Sequence, residues 1–152
     1  MQISNSTIAF NVSDTGGGGV ALYSETPLRS TIIAGNLGAK GTGDVLLLHP
    51  GGSVGSLTGD HNFIGDPGVA AVPADTIKGD PLLLPLSDNG GRTRTHALAA
   101  GSPAIDAGSN PLALDFDQRG EGFAREVGSS VDIGAYESGA SGDSIFANGF
   151  DP

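Results

Sequence analysis

The clearest chemistry-bearing spacing in the chain runs Asp115, Phe116, Asp117, Gln118, Arg119, Gly120, with Glu126 at the twelfth position. Calcium loops use this spacing because carboxylates at positions one and three, an oxygen donor at five, a glycine turn at six and a bidentate Glu at twelve converge on one ion. Asp115, Asp117 and Glu126 fill the carboxylate positions, but the fifth holds Arg119, a cation that repels calcium and removes a ligand. No helical pattern flanks the segment. Calcium held by Asp115, Asp117 and Glu126 is one expectation. The other is a structural network of Asp106, Asp117, Arg119 and Asp132, in which Arg119 pairs with Asp117, Asp132 or Asp106. Arginine suits that role because its planar fork bonds a carboxylate through two donors. No other cofactor is expected.

Asp106 and Asp132 lie in short apolar contexts, Ala-Ile-Asp-Ala-Gly and Val-Asp-Ile-Gly, where a carboxylate needs a partner. Paired carboxylates can act as acid and base, but acids in such turns more often bond backbone N–H groups, and the structural reading takes precedence. His96, Ser102 and Asp106 contain the residue types of a catalytic triad without the Gly-x-Ser-x-Gly elbow. His49 and His61 flank a glycine-rich loop and could share a metal with Asp60 or Asp66, yet no third ligand has a metal-site spacing. Gly16 to Gly19 lacks the Lys-Ser/Thr of a phosphate loop and reads as a chain corner. Asn5-Ser6-Thr7 and Asn11-Val12-Ser13 match the glycosylation pattern only incidentally. No catalytic residue is assigned.

The elements that must position these groups are short. In 152 residues there are 26 Gly and 9 Pro, which opposes long helices because each carries a helix penalty of about 1 and about 3 kcal/mol. Cysteine is absent, so there is neither a disulfide framework nor a thiolate metal site. Acids outnumber Lys and Arg 17 to 7, for a net charge of −10, with no basic patch to neutralise phosphates. Nucleic acid and anionic membranes are poor partners for such a surface. Apolar runs such as Val45 to Leu48 are far too short to span a bilayer. Met1 to Ser6 has neither the basic start nor the apolar stretch of a signal peptide, so either the protein is cytoplasmic or the chain is a piece of a longer one, and the expectation adopted with the resemblance below is a C-terminal fragment.

Two segments repeat. Ser6-Thr7-Ile8-Ala9-Phe10-Asn11 and Thr31-Ile32-Ile33-Ala34-Gly35-Asn36 align at a spacing of 25. Each precedes a glycine-rich stretch and a short apolar strand, Val20 to Tyr23 and Val45 to Leu48, and a weaker echo follows at Asn62-Phe63-Ile64-Gly65-Asp66. A period of this length built from strands and turns predicts a solenoid. Stacked coils about 4.8 Å apart pair every backbone group, placing Ile8 under Ile33 and Asn11 under Asn36. From about Asp75 the pattern becomes proline- and glycine-rich, and this region is predicted to cover the exposed edge of the last coil. The expected division is 1–74 coils, 75–137 cap and 138–152 linker and tail.

Six ordered motifs carry a resemblance. Gly79-Asp80-Pro81-Leu82-Leu83, Leu86-Ser87-Asp88-Asn89-Gly90-Gly91, Thr95-His96-Ala97-Leu98, Gly101-Ser102-Pro103-Ala104-Ile105-Asp106-Ala107-Gly108, Asp117-Gln118-Arg119-Gly120 and Val131-Asp132-Ile133-Gly134-Ala135-Tyr136-Glu137 resemble the choice-of-anchor Q domain. That domain closes right-handed parallel β-helix proteins secreted by many bacteria. With the Ile-Ala-x-Asn coils, the resemblance covers roughly residues 3 to 137. It implies an all-β, right-handed parallel β-helix with a Pro/Gly-rich cap, and it implies a secreted or cell-surface location. It carries over no catalytic residue. The tail from Asp143 to Pro152 resembles an Ile-Phe-x-x-Gly-Phe-acid sorting or anchoring address of exported Gram-negative proteins.

The expected function is a non-enzymatic, adhesin-like or structural surface module whose partner is a cell-surface polysaccharide or protein. The alternative is a remnant of a carbohydrate-active β-helix enzyme, for which two or more groove acids beside an Arg or Lys and an aromatic platform would speak.

Overall fold

The computed structural model describes residues 1–14, 16–39, 43–48 and 55–142. They form nine short strands and no α-helix: β1 Ile3–Ser4, β2 Thr7–Ala9, β3 Val20–Leu22, β4 Thr26–Arg29, β5 Ile32–Ala34, β6 Val45–Leu47, β7 Leu57–Asp60, β8 Phe63–Ile64 and β9 Ile77–Lys78. The protein is all-β, with three sheets ordered β1-β4-β7, β2-β5-β8-β9 and β3-β6.

Every strand pair in these sheets is parallel. Ile3 pairs with Leu28, Ile8 with Ile33 and Val20 with Val45, so one offset of 25 residues relates three sheets at once. The next layer is offset by 31, with Thr26 opposite Leu57 and Ile32 opposite Phe63. The repeat read from the sequence thus sets the register of β2 on β5. The asparagine column forms as well, Asn11 Nδ2 donating to Asn36 Oδ1 at 2.9 Å.

The corners explain why strands this short stop where they do. The residues after β1, β4 and β7 are Asn5, Ser30 and His61, all left-handed, with φ of 46°, 49° and 53°. A left-handed residue redirects an extended chain within one step, and polar residues such as Asn and His bear that conformation better than branched ones. The same turn recurs after β2 and β5, at Phe10 (φ 57°) and Gly35 (φ 69°).

Two apolar clusters lie on opposite sides of the β2-β5-β8-β9 sheet. Ile33 and Ile64 face Leu22, Leu28, Val45 and Leu57 in the first. Their neighbours Ile32, Ala34 and Phe63 face Leu98, Ala104 and Ile133 in the second. Because side chains alternate along a strand, the two clusters occupy the two faces of one sheet.

The proline-rich region starts with β9 on the edge of β8, where a cover is expected, and most of it then continues elsewhere. That remainder lies along the second face of the sheet, where Leu83, Leu98, Ala104, Ile105 and Ile133 meet Ile32, Ala34 and Phe63. The residues that pack onto the first cluster from outside the strands are Ala70 and Val72, between β8 and β9. The physical reason is the composition of β5, whose three consecutive buried apolar residues leave neither face suited to water. Gly134 marks the closest approach. A Cβ there would lie 2.8 Å from Thr7 Oγ1 and 2.9 Å from Ile32 Cδ1, while its N–H donates to Ser30 O at 2.9 Å.

Candidate functional site

The calcium-like segment folds as a small antiparallel hairpin. Phe116 bridges Ala124, Asp117 N donates to Phe123 O, and Arg125 N donates to Asp115 O. This brings Arg119, at the tip, back over Asp117. Its Nε donates to Asp117 Oδ2 at 3.0 Å and its Nη2 to the same oxygen at 2.7 Å. Asp117 also accepts the backbone N–H of Arg119 on Oδ1 and that of Glu137 on Oδ2, each at 2.8 Å. The guanidinium lies between two rings, 4.2 Å from the Phe123 centroid and 3.9 Å from that of Tyr136. Both partners are buried.

A second buried pair adjoins the first. Arg125 Nη1 donates to Glu137 Oε2 at 3.1 Å, and its Nη2 donates to the carbonyls of Asp132 and Gly134. Glu137 in turn accepts from Val127 N and Asp132 N. Asp132 holds Asp106 N on Oδ1 and Ser138 N on Oδ2. Asp106 itself accepts from Ser129 N and Ser130 N. Burial pushes the Glu137 carboxyl up to about 7, against the pull of two backbone N–H groups and Arg125. Burial likewise draws the Arg125 guanidinium down, opposed by Glu137, Asp117 and Asp132. The charge count agrees in direction: three carboxyls (Asp117, Asp132, Glu137) face two guanidiniums, so protonating one carboxyl neutralises the set.

Of the partners left open for Arg119, the structure joins it to Asp117, while Asp106 and Asp132 bond backbone N–H groups. Asp115 and Glu126 are exposed. Among the described residues no three His, Asp or Glu side chains are grouped as metal ligands. Two of the triad residues are engaged by backbone carbonyls instead: His96 Nδ1 donates to Leu84 O at 2.8 Å, and Ser102 Oγ donates to Pro81 O at 2.6 Å. His61 Nδ1 lies 3.0 Å from Asp60 Oδ1, and the His61 backbone N–H donates to Asp75 Oδ2. Asp66 Oδ1 accepts from Gly68 N. His49 and the tail from Asp143 lie outside the described residues.

Sequence reasoning passed over Arg125, Glu137 and Asp44. Asp44 is buried and joins two layers, accepting Asn36 N and Asn36 Nδ2 on Oδ1 and Asp66 N on Oδ2. The available signal was an acid between Gly43 and an apolar strand; Arg125 offered no local signal because its partners lie seven to twelve residues away.

A groove of about 370 Å³ crosses the strand ends of the four-stranded sheet. The residues that follow its strands, Phe10, Gly35, Gly65 and Gly79, all line it, together with Asp66 and Asp80. Among the described residues no Arg or Lys lines it. Comparison with known protein families, curated proteins and solved structures gives no match.

Proposed function

We propose that the chain is the terminal part of a right-handed parallel β-helix acting as a non-enzymatic extracellular or cell-surface module, of the kind the choice-of-anchor Q domain closes. The observation that carries this reading is where the carboxylates go. Asp44, Asp106, Asp117, Asp132 and Glu137 are all engaged by backbone N–H groups, and two of them also by guanidiniums. In the four buried ones, Asp44, Asp117, Asp132 and Glu137, both carboxylate oxygens are so engaged, which holds a scaffold together and leaves neither free to activate water.

The stacked registers support the β-helix. Among the described residues β1, β2 and β3 each pair on one side only, and those free edges would take a further coil of a longer polypeptide. The expected partner is a cell-surface polysaccharide or protein. The enzyme alternative calls for a groove with acids, an aromatic and an Arg or Lys, and among the described residues the groove above has no such cation.

The test is to incubate the purified chain with plant and bacterial polysaccharides and measure new reducing or unsaturated ends. The module reading expects none. Protein-dependent release that saturates with substrate would replace it with the enzyme reading.

A further inference from the structure

The groove across the strand ends contains a residue that the fold itself disfavours. Phe10 and Gly35 occupy equivalent corners, 25 residues apart, and both are left-handed. Glycine takes that conformation at no steric cost, whereas a bulky side chain there is an outlier. Phe10 is nevertheless 55 % exposed. The ring lies over Gly35, where an added Cβ would come within 2.8 Å of its Cε1, and its centroid is 5.0 Å from that of His96. The corner thus holds an aromatic platform at the mouth of the groove. Strain at one residue of a cavity is a recurrent mark of a binding position.

The rest of the groove defines the ligand chemistry. Its volume of about 370 Å³ falls in the range of small-ligand sites. Gly79, where an added Cβ would meet nothing within 4 Å, leaves that part of the lining open, so an extended ligand can lie close to the backbone there. Asp66 and Asp80 each use Oδ1 to close a turn, onto Gly68 N and Leu82 N, and neither Oδ2 has a partner among the described residues. Free carboxylate oxygens accept hydroxyl hydrogens. An apolar ring face and hydroxyl acceptors together suit a sugar, whose C–H face packs on an aromatic while its hydroxyls donate. Three acids, Asp44, Asp66 and Asp80, line the groove with no Arg or Lys among the described residues, which disfavours an acidic sugar.

We propose that this groove binds a neutral saccharide, with Phe10 as the stacking platform and Asp66 and Asp80 as hydroxyl acceptors. The assignment rests on the surface-module reading and names the class of its polysaccharide partner.

The experiment is a titration of the isotope-labelled full chain with cellohexaose, N-acetylchitohexaose and hexagalacturonate, following backbone amides by NMR. A neutral oligosaccharide is expected to shift Gly35, Gly65 and Gly79 saturably, and hexagalacturonate to leave them unmoved. Phe10→Gly, which suits the left-handed corner, is expected to abolish the shifts while leaving the remaining spectrum intact. Asp80→Asn keeps the turn acceptor and is expected to weaken binding about tenfold. The assignment is overturned if neither neutral probe shifts the groove, if Phe10→Gly binds as the parent does, or if hexagalacturonate binds equally well. Groove shifts accompanied by new reducing ends would support the assignment and overturn the non-enzymatic reading, so the two fail separately.

Discussion

Asp117 and Arg119 stand two residues apart and form a buried ion pair, with Arg119 Nη2 2.7 Å from Asp117 Oδ2 and the guanidinium stacked between Phe123 and Tyr136. Through Glu137 N, which donates to Asp117, and Glu137 O, which accepts from Arg119, the pair joins the 115–125 hairpin to the segment that ends at Glu137. Removing one partner leaves an uncompensated buried charge, which costs about 3–5 kcal/mol. Asp117→Ala is therefore expected to lower the melting temperature by roughly 10 °C. A thermal scan by circular dichroism checks this; a change within two or three degrees would mean that the pair is not buried.

Glu137 predicts how stability depends on pH. Its carboxyl is raised from 4.5 to about 7 by burial, so the folded chain holds this proton more tightly than the unfolded chain. Folding then takes up a proton between those values, and stability falls as pH rises through about 7. Melting temperatures measured between pH 5 and pH 8 are expected to decline, and Glu137→Gln is expected to flatten the decline. A rise with pH in the parent chain would contradict the assignment.

Gly35 carries a local prediction. A Cβ there would enter the Phe10 ring at 2.8 Å and also suffer the left-handed penalty of about 1–2 kcal/mol. Gly101, at φ 84° with nothing within 4 Å of an added Cβ, suffers only the backbone penalty. Gly35→Ala should therefore destabilise more than Gly101→Ala in urea unfolding. Equal effects would mean that the ring moves freely.

Calcium provides the fourth prediction. Asp117 already binds Arg119 and two backbone N–H groups, so releasing it to a metal would break the buried pair. Titration calorimetry is expected to show no calcium heat, with the same melting temperature in calcium and in chelator. A saturable heat lost in Glu126→Gln would restore the metal reading.

The stacking was legible because it is local in pattern: Ile-Ala-x-Asn recurs at 25, and the offset carries straight into the pairing of Ile8 with Ile33. The side on which the proline-rich region packs was written less plainly. Ile32, Ile33 and Ala34 do not alternate, which is the mark of a strand buried on both faces, but so short a run is ambiguous alone. Arg119 drew attention because it interrupts a recognised spacing. Arg125 and Glu137 did not, since a buried pair twelve residues apart leaves no periodic trace. The groove was illegible because its lining comes from the ends of successive strands, and only stacking brings Phe10 beside Gly35, Asp66 and Asp80.

The central claim is that successive stretches of chain stack as parallel strands in fixed register. Inter-strand nuclear Overhauser contacts in the labelled chain test it most directly. The account predicts parallel-pattern contacts linking Ile8 to Ile33, Val20 to Val45 and Ile33 to Ile64. Close Hα–Hα contacts between β2 and β5, the signature of antiparallel pairing, would contradict it.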